Sequence, residues 1–147
     1  MTTLYLDDIT PGRRDVTRTH TLTADEIVAF ARQFDPQPFH TDEHAAAKSL
    51  FGGLAASGWH TAAISMRLLV ESGTPLAGGL IGLGGEISWP RPTRPGDTLR
   101  VESEVLEVTP SRSKPHRGTV TLRNETKNQR DEVVQLFVGK LIVPRRT

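Results

Sequence analysis

Hydrophobic residues in the first half of the chain recur at helical spacing, and they predict three helices there. The first helix follows Thr23, which forms a capping-box pattern with Glu26 three residues later. Its apolar positions are Ile27, Phe30, Ala31 and Phe34. Pro36 is predicted to end the helix, because a proline pushes the preceding residue out of the α region.

Two further helices are predicted between residues 41 and 73. Thr41 is a suitable N-cap for a short helix over residues 42–50. A longer helix is predicted to begin near Ser57 and to end before Gly73. Its main apolar stripe is Trp59, Ala62, Ala63, Met66, Leu69 and Val70, with Ile64 and Leu68 on the other side. A helix that is apolar around most of its circumference is usually buried, so we expect this one to be central.

After Gly73 the hydrophobic pattern changes to that of strands. Segments 81–89, 97–108, 118–126 and 132–143 are rich in β-branched and alternating residues, and turn residues separate them. The 147 residues contain no internal repeat, so one domain is predicted over residues 1–147. The predicted class is α+β, with an antiparallel sheet wrapped around the buried third helix.

Composition excludes several classes of function. The chain has no cysteine, which rules out disulfides, thiolate nucleophiles and cysteine metal sites. A net charge of +1 and few aromatic residues give no platform for nucleic acid. No apolar run approaches the length of about 18 residues that a membrane helix needs. We therefore expect a cytoplasmic protein with no nucleic-acid or membrane partner.

The segment FDPQPFHTD, residues 34–42, carries the candidate chemistry. In one continuous helix, Asp35 and His40 would point about 140° apart at 3.6 residues per turn. Pro36 and Pro38 bias Asp35 and Gln37 toward extended conformations. The prediction is a stiff, non-helical connection between two helices, in which both side chains can face one cleft.

Residue types alone leave other interpretations of this segment open. Asp before Pro is a common turn starter, and His40 can be a polar residue near a helix start. HTDEH lacks the HExxH spacing of a zinc site, because His40 is expected to precede the helix that carries His44. A serine hydrolase is disfavoured, because there is no GxSxG elbow and Ser57 has the position of a helix cap.

Three segments together resemble one family. FAxxFDPQPFHTD, then FGGLAASGWHTA, then SWPRPTRPGDTL resemble the MaoC-like dehydratases, the (R)-specific enoyl-CoA hydratase group with the hot-dog fold. The resemblance covers nearly the whole chain. It implies that Asp35 and His40 form a catalytic dyad. Gln37 stands where the family usually has Asn, and Phe34 stands where a Gly commonly precedes the Asp.

The resemblance also implies further site residues. Gly58 matches the residue whose backbone N–H polarises the thioester carbonyl, and Ser57 replaces the His that commonly precedes it. Substrate contacts are expected from Gln37, Pro38, Phe39, Ser57 and Trp59. The CoA phosphates are expected to meet Arg91, Arg94, Arg112 or Lys114.

The implied reaction is the reversible hydration of a trans-2-enoyl-CoA to an (R)-3-hydroxyacyl-CoA by a homodimer. No metal or redox cofactor is expected, since coenzyme A is part of the substrate. One alternative is a hot-dog acyl-CoA thioesterase, although Glu71 near the far end is the only carboxylate of the central helix. The other is a non-catalytic acyl-CoA binding or partner subunit.

Overall fold

The computed structural model describes residues 2–147, and four helices pack against one antiparallel sheet. The helices are α1 (Ala24–Phe34), α2 (Pro38–Thr41), α3 (Glu43–Ala47) and α4 (Gly58–Ser72), and a short 3-10 helix covers Leu6–Asp8. The strands are β1 (Arg14–Val16), β2 (His20–Thr21), β3 (Ile81–Ser88), β4 (Thr98–Pro110), β5 (Arg117–Lys127) and β6 (Val133–Pro144).

The sheet has the strand order β1-β4-β5-β6-β3, and β2 also pairs with β4. Every strand pair is antiparallel, and β4, β5 and β6 follow one another as long hairpins. The four predicted strands and the α+β class are therefore confirmed. Strands β1 and β2 were not predicted, because segments of three and two residues are too short to show a periodicity.

The buried face of α4 differs from the predicted stripe. The buried side carries His60, Thr61, Ile64, Ser65 and Leu68. In the described chain the predicted stripe is largely exposed, with Trp59 61%, Met66 46% and Val70 65% accessible. The prediction that this stripe is buried is wrong for the single chain.

Hydrogen bonds to the sheet side explain why polar residues of α4 are buried. The Thr61 hydroxyl donates to the Thr93 hydroxyl at 3.1 Å, and the Ser65 and Thr126 hydroxyls lie 2.6 Å apart. A satisfied buried hydroxyl contributes about 1 kcal/mol, whereas an unsatisfied one costs about 1–3 kcal/mol. These pairs let α4 present small polar residues to the sheet.

The hydrophobic core has two parts. One lies between the helices and the start of β4, and its members include Leu22, Ile27, Ile64, Leu68, Leu99 and Val101. The other lies under the N-terminal segment at the far end of the sheet, and its members include Leu6, Val105, Val120, Leu122 and Val143. The first part packs beneath the α1–α2 connection, so it supports the segment that carries Asp35 and His40.

The ends of α1 follow the sequence prediction. The Thr23 side chain accepts a hydrogen bond from the Glu26 N–H at 3.2 Å, and the helix ends at Phe34 before Pro36. The Glu26 carboxylate, however, lies 2.8 Å from His20 Nε2, so it does not complete the predicted capping box. Phe34 was predicted in the apolar stripe, but it is 64% exposed.

The predicted helix over residues 42–50 with Thr41 as its N-cap is wrong in its boundaries. Thr41 is the last residue of α2, and the N-cap of α3 is Asp42. The Asp42 carboxylate accepts hydrogen bonds from the N–H groups of His44 at 2.9 Å and Ala45 at 3.2 Å. An Asp is at least as good an N-cap as a Thr, and here it starts the second of two short helices.

Candidate active site

Asp35 and His40 come together at the junction of α1 and α2. Asp35 Oδ2 lies 3.4 Å from His40 Nε2. Asp35 is the C-cap of α1, where its N–H donates to the Ala31 carbonyl at 2.8 Å, and Pro36 then turns the chain away. The expected non-helical connection is right for Asp35 but wrong for His40, which lies in α2. Pro38 is the first residue of that helix, a position that suits a residue without an N–H.

The orientation of His40 is fixed by a backbone carbonyl. The buried imidazole places Nδ1 2.6 Å from the carbonyl oxygen of Ala55. Since a carbonyl oxygen can only accept, this contact assigns the proton to Nδ1. In the neutral ring Nε2 is therefore without a proton, and this nitrogen faces Asp35.

The Asp35 carboxylate is held by Gln37, whose side-chain N–H donates to Oδ1 at 2.6 Å. Burial acts to raise the pKa of Asp35, but the Gln37 hydrogen bond, the Ser57 hydroxyl and the charge that His40 carries when it is protonated outweigh it. The pKa of this carboxyl is lowered as a result, so Asp35 is ionised at neutral pH.

The Asp35–His40 pair therefore presents two hydrogen-bond acceptors to one point. A carboxylate oxygen and a bare imidazole nitrogen cannot hydrogen bond to each other without a shared proton. Both can accept the two protons of one water molecule. This arrangement can hold a water and remove a proton from it, which is the requirement for general-base chemistry.

The free end of α4 lies at the same cleft. Gly58 is the first residue of α4, and its N–H has no acceptor within residues 2–147. It lines a cleft of about 240 Å³ together with His40, Phe51, Thr61, Trp89 and Arg91. An unpaired N–H at the positive end of a 15-residue helix is suited to an oxygen that gains negative charge.

The other predicted contact residues surround this cleft in different ways. Ser57 is fully buried and caps α4, because its hydroxyl accepts the Trp59 N–H at 3.3 Å. Phe39 is half-buried and packs on His40 and Phe51, with ring centroids 4.6 Å and 5.1 Å apart. Pro38 and Trp59 are exposed. Their roles toward a substrate stay predictions.

Only one of the four cations expected at the CoA phosphates lies at the cleft and is free of backbone contacts. Arg91 lines the cleft and lies 3.2 Å from a Glu132 oxygen. The Arg94 guanidinium instead donates to three backbone carbonyls, so the expectation that it meets a phosphate does not fit its geometry. Arg112 and Lys114 lie in the β4–β5 turn, the far end of a 13-residue strand from the cleft. At about 3.3 Å per residue that strand spans roughly 40 Å.

Two contributors to the site were not predicted from the sequence. The Ala55 carbonyl orients His40, and the Trp89 ring forms one wall of the cleft. A backbone carbonyl leaves no signal in residue types. Trp89 did have one, because it stands in the SWPRP segment that follows a predicted strand.

The described residues hold neither a metal-binding cluster nor a membrane-spanning helix. Residues 2–147 contain no group of three or more His, Cys, Asp or Glu side chains placed to bind a metal ion. His40 and His44 lie on separate helices, as expected. Within the same part of the chain, no helix is both long enough and apolar enough to span a membrane.

Comparison with known proteins places this chain in a known family. The family model described as "MaoC like domain" matches residues 9–128. A curated relative, the uncharacterized protein YdeM of Bacillus subtilis, is 38% identical over 143 residues, which is 95% of this chain and 97% of YdeM. The 3-hydroxybutyryl-CoA dehydratase of Methylorubrum extorquens is 32% identical over 111 residues, 74% of this chain and 68% of that enzyme.

Solved structures agree with the family match. A MaoC-like dehydratase from Rhodospirillum rubrum is 60% identical with a TM-score of 0.96, covering 98% of this chain and 99% of that one. The (R)-hydratase PhaJ1 of Pseudomonas aeruginosa is 26% identical with a TM-score of 0.76, covering 98% and 88%. These similarities confirm the hot-dog fold.

Proposed function

Because the chain belongs to the family of MaoC-like domains, we propose that it is a hydro-lyase acting on acyl-CoA thioesters. It adds water reversibly to a trans-2-enoyl-CoA and forms an (R)-3-hydroxyacyl-CoA. The observation that carries the proposal is the Asp35–His40 pair, whose Oδ2 and Nε2 lie 3.4 Å apart. His40 and Gly58, which has a free helix N–H, line the same cleft.

Water activation is the first step of the proposed reaction. A water bound between Asp35 Oδ2 and His40 Nε2 loses a proton to Asp35 as its oxygen forms a bond to C3 of the enoyl group. The C2–C3 π electrons move toward the thioester carbonyl. C2 then takes a proton back from the Asp–His pair, with His40 assisting the transfer. One O–H bond and the C2–C3 π bond are broken, and one C–O bond and one C–H bond are formed.

Charge stabilisation is the second requirement, and Gly58 supplies it in this proposal. Negative charge develops on the thioester oxygen as the enolate forms. The Gly58 N–H donates to that oxygen, and the α4 dipole adds to the effect. Losing one such donor costs about 10²–10³ in rate in enzymes where it has been removed.

The relatives support the substrate class. The 3-hydroxybutyryl-CoA dehydratase and PhaJ1 are named for the two directions of this reaction. The proposed reaction needs no metal or redox cofactor, because the thioester activates the double bond. We propose the cytoplasm as its location, where acyl-CoA thioesters are available.

The proposal is tested with purified protein and a series of trans-2-enoyl-CoAs from about C4 to about C12, which spans short and medium chains. Loss of the enoyl-thioester absorbance and release of free thiol are followed separately. We expect enoyl loss without thiol release. Asp35→Asn and His40→Gln each remove a proton acceptor, so each variant should lose about 10²-fold or more in kcat.

Matched controls separate catalysis from folding. Asp25→Asn changes an exposed carboxylate on the same helix as Asp35, and His44→Gln changes an exposed histidine four positions after His40. Both should keep the activity of the parent protein. Full activity in Asp35→Asn would refute the mechanism. Binding of acyl-CoA without turnover would instead favour the non-catalytic binding subunit.

The thioesterase alternative finds little support in the geometry. Glu71, the one carboxylate of α4, lies in the last turn, where Arg18 and Arg67 each approach one of its oxygens at 2.5 Å. These bonds lower the pKa of Glu71 and occupy its carboxylate. Release of free thiol at the rate of enoyl loss would reverse this assessment.

We also propose that the active form is a homodimer. Strand β3 is an edge of the sheet, and it exposes Ile81 and Leu83 at 50% and 58%. Next to it, the exposed stripe of α4 carries Met66 and Val70. An open edge beside exposed apolar side chains suits association with a second copy of the chain. Sedimentation should give a dimer mass, and Leu83→Lys should shift it toward the monomer.

A further inference from the structure

We propose that Arg94 is a positioning residue that holds His40 in the tautomer required at the site, acting through the loop of residues 51–55. For its effect on the reaction, this inference rests on the proposed function. Its effect on the His40 ring does not, because the tautomer can be measured without a substrate. The hydrogen bonds of Arg94 go to Asp97 and to the carbonyls of Phe51, Gly53 and Leu54, so it acts on His40 only indirectly.

The Arg94 guanidinium donates hydrogen bonds to three carbonyls of the loop of residues 51–55. Nη1 donates to the Gly53 carbonyl at 2.9 Å and to the Leu54 carbonyl at 3.3 Å, and Nη2 donates to the Phe51 carbonyl. Residues 40 or more positions apart in sequence are joined by these bonds. Three carbonyls on one planar cation fix the path of the loop, because each bond restricts a different peptide group.

The main chain next to Arg94 holds the other end of the same loop. The Thr93 carbonyl accepts the Ala56 N–H at 2.9 Å, and the Phe39 carbonyl accepts the Ala55 N–H at 3.2 Å. The peptide groups on both sides of the Ala55 carbonyl are thus held: the Arg94 guanidinium binds the carbonyls that precede it, and the Thr93 carbonyl binds the Ala56 N–H that follows it. That carbonyl is the acceptor for His40 Nδ1 at 2.6 Å.

The backbone at Arg94 is held in place by hydrogen bonds. Its backbone N–H donates to Asp97 Oδ2 at 2.8 Å, and Asp97 is 3% exposed. The segment is also tied to Leu22 of the core, since the Gly96 N–H donates to the Leu22 carbonyl at 2.7 Å. The guanidinium therefore projects from a rigid turn toward the loop, and the loop takes its position from the turn.

Within residues 2–147 the hydrogen bonds of the Arg94 guanidinium go to the backbone carbonyls of Phe51, Gly53 and Leu54. The carbonyl dipoles of the loop are its counterpart. An ammonium has its donors around one nitrogen and cannot reproduce three contacts from a planar fork. A lysine at this position should therefore keep the charge and lose the geometry.

The chemical consequence follows from the two ring nitrogens. While Ala55 accepts from Nδ1, Nε2 is bare and can accept a proton from water. If the Ala55 carbonyl moves away, the proton can shift to Nε2 and donate to Asp35 Oδ2, now only 3.4 Å away. That hydrogen bond would close the pair and remove both acceptors from the water. The substitution should then lower kcat and leave KM little changed.

The test compares the wild-type protein with Arg94→Gln and Arg94→Lys, and uses Arg123→Gln as a control on the strand surface. Imidazole ¹⁵N shifts, assigned to His40 with a His40→Gln sample, report which nitrogen carries the proton. We expect Nδ1–H in the wild type and the control, and a substantial Nε2–H population in both Arg94 variants. We expect kcat to fall by about 10- to 100-fold, since a displacement of about 1 Å can cost that much.

A chemical rescue makes the result independent of the folding of any one variant. Arg94→Ala should regain activity and the Nδ1–H signal when millimolar guanidinium is added, but not with equal sodium chloride. An unchanged His40 tautomer in Arg94→Gln and Arg94→Lys would overturn the inference, whatever the activity. If the wild type lacks hydratase activity while the tautomer still changes, the proposed function fails and the positioning role stands.

Discussion

Replacing Gly58 by alanine tests how closely the end of α4 is fitted to the cleft. A Cβ at position 58 would lie 2.7 Å from Cε2 and 2.9 Å from Cδ2 of the Trp89 indole. Carbon atoms in contact are separated by about 3.5–4.0 Å. The ring must therefore move by about 1 Å, or the first turn of α4 must move away from it.

The direction of the movement determines the size of the effect. The Trp89 N–H donates to Gln135 Oε1 at 3.0 Å, and its ring stacks edge-on with Trp59 at 5.3 Å. These contacts resist displacement, and overpacking of this kind costs about 1–3 kcal/mol of stability. If the helix end moves instead, the Gly58 N–H leaves its position, and we expect kcat to fall by about 10²-fold.

The assay follows enoyl-CoA hydration in Gly58→Ala, Trp89→Ala and the double variant. Removing the indole makes room for the methyl group, so the double variant should lose little activity relative to Trp89→Ala. Trp59 and Trp89 are the two tryptophans of the chain, so tryptophan fluorescence reports the ring displacement directly. Wild-type activity in Gly58→Ala, or an equal loss with and without the indole, would refute the reasoning.

Two further predictions concern pH. Gln37→Ala removes a donor that lowers the pKa of Asp35, so the acidic limb of the kcat/KM profile should move to higher pH, whereas Gln33→Ala on exposed α1 should leave it in place; an unmoved limb would argue against the Gln37 contact. Burial lowers the pKa of His60, aided by His20 and opposed by Glu26, so unfolding binds a proton and stability should fall as pH decreases below about 6.5. In His60→Leu the free energy of unfolding, measured with urea from about pH 5 to about pH 8, should depend less on pH. An unchanged slope of this free energy against pH would contradict the prediction.

Sequence signals that act over a few residues predicted much of the fold. Thr23 as a cap and Pro36 as a terminator set the ends of α1 because their effects are on neighbouring backbone groups. The four long strands followed from alternation and β-branched content. The Asp35–His40 pairing was predicted from the prolines and the family resemblance, and the structure brings these side chains together.

The parts that sequence reasoning missed depend on distant partners. Thr61 and Ser65 are buried because Thr93 of the β3–β4 loop and Thr126 of β5, 32 and 61 residues later, satisfy their hydroxyls. The pattern of apolar residues along α4 carries no information about those partners. The prediction therefore placed the opposite face of the helix in the core. Arg94 was assigned to a phosphate by residue type, but backbone carbonyls about 40 positions earlier bind it.

The two departures from the family pattern, Gln37 and Phe34, both lie beside Asp35 without separating it from His40. The longer arm of Gln37 reaches back to Asp35 Oδ1 at 2.6 Å and leaves Oδ2 directed at His40. The Phe34 ring packs on Phe30, with centroids 5.1 Å apart, and points into solvent. Neither side chain enters the 3.4 Å gap between the two acceptors. Gln37 therefore changes the hydrogen bonding that supports Asp35, and neither substitution obstructs the proposed position of the water.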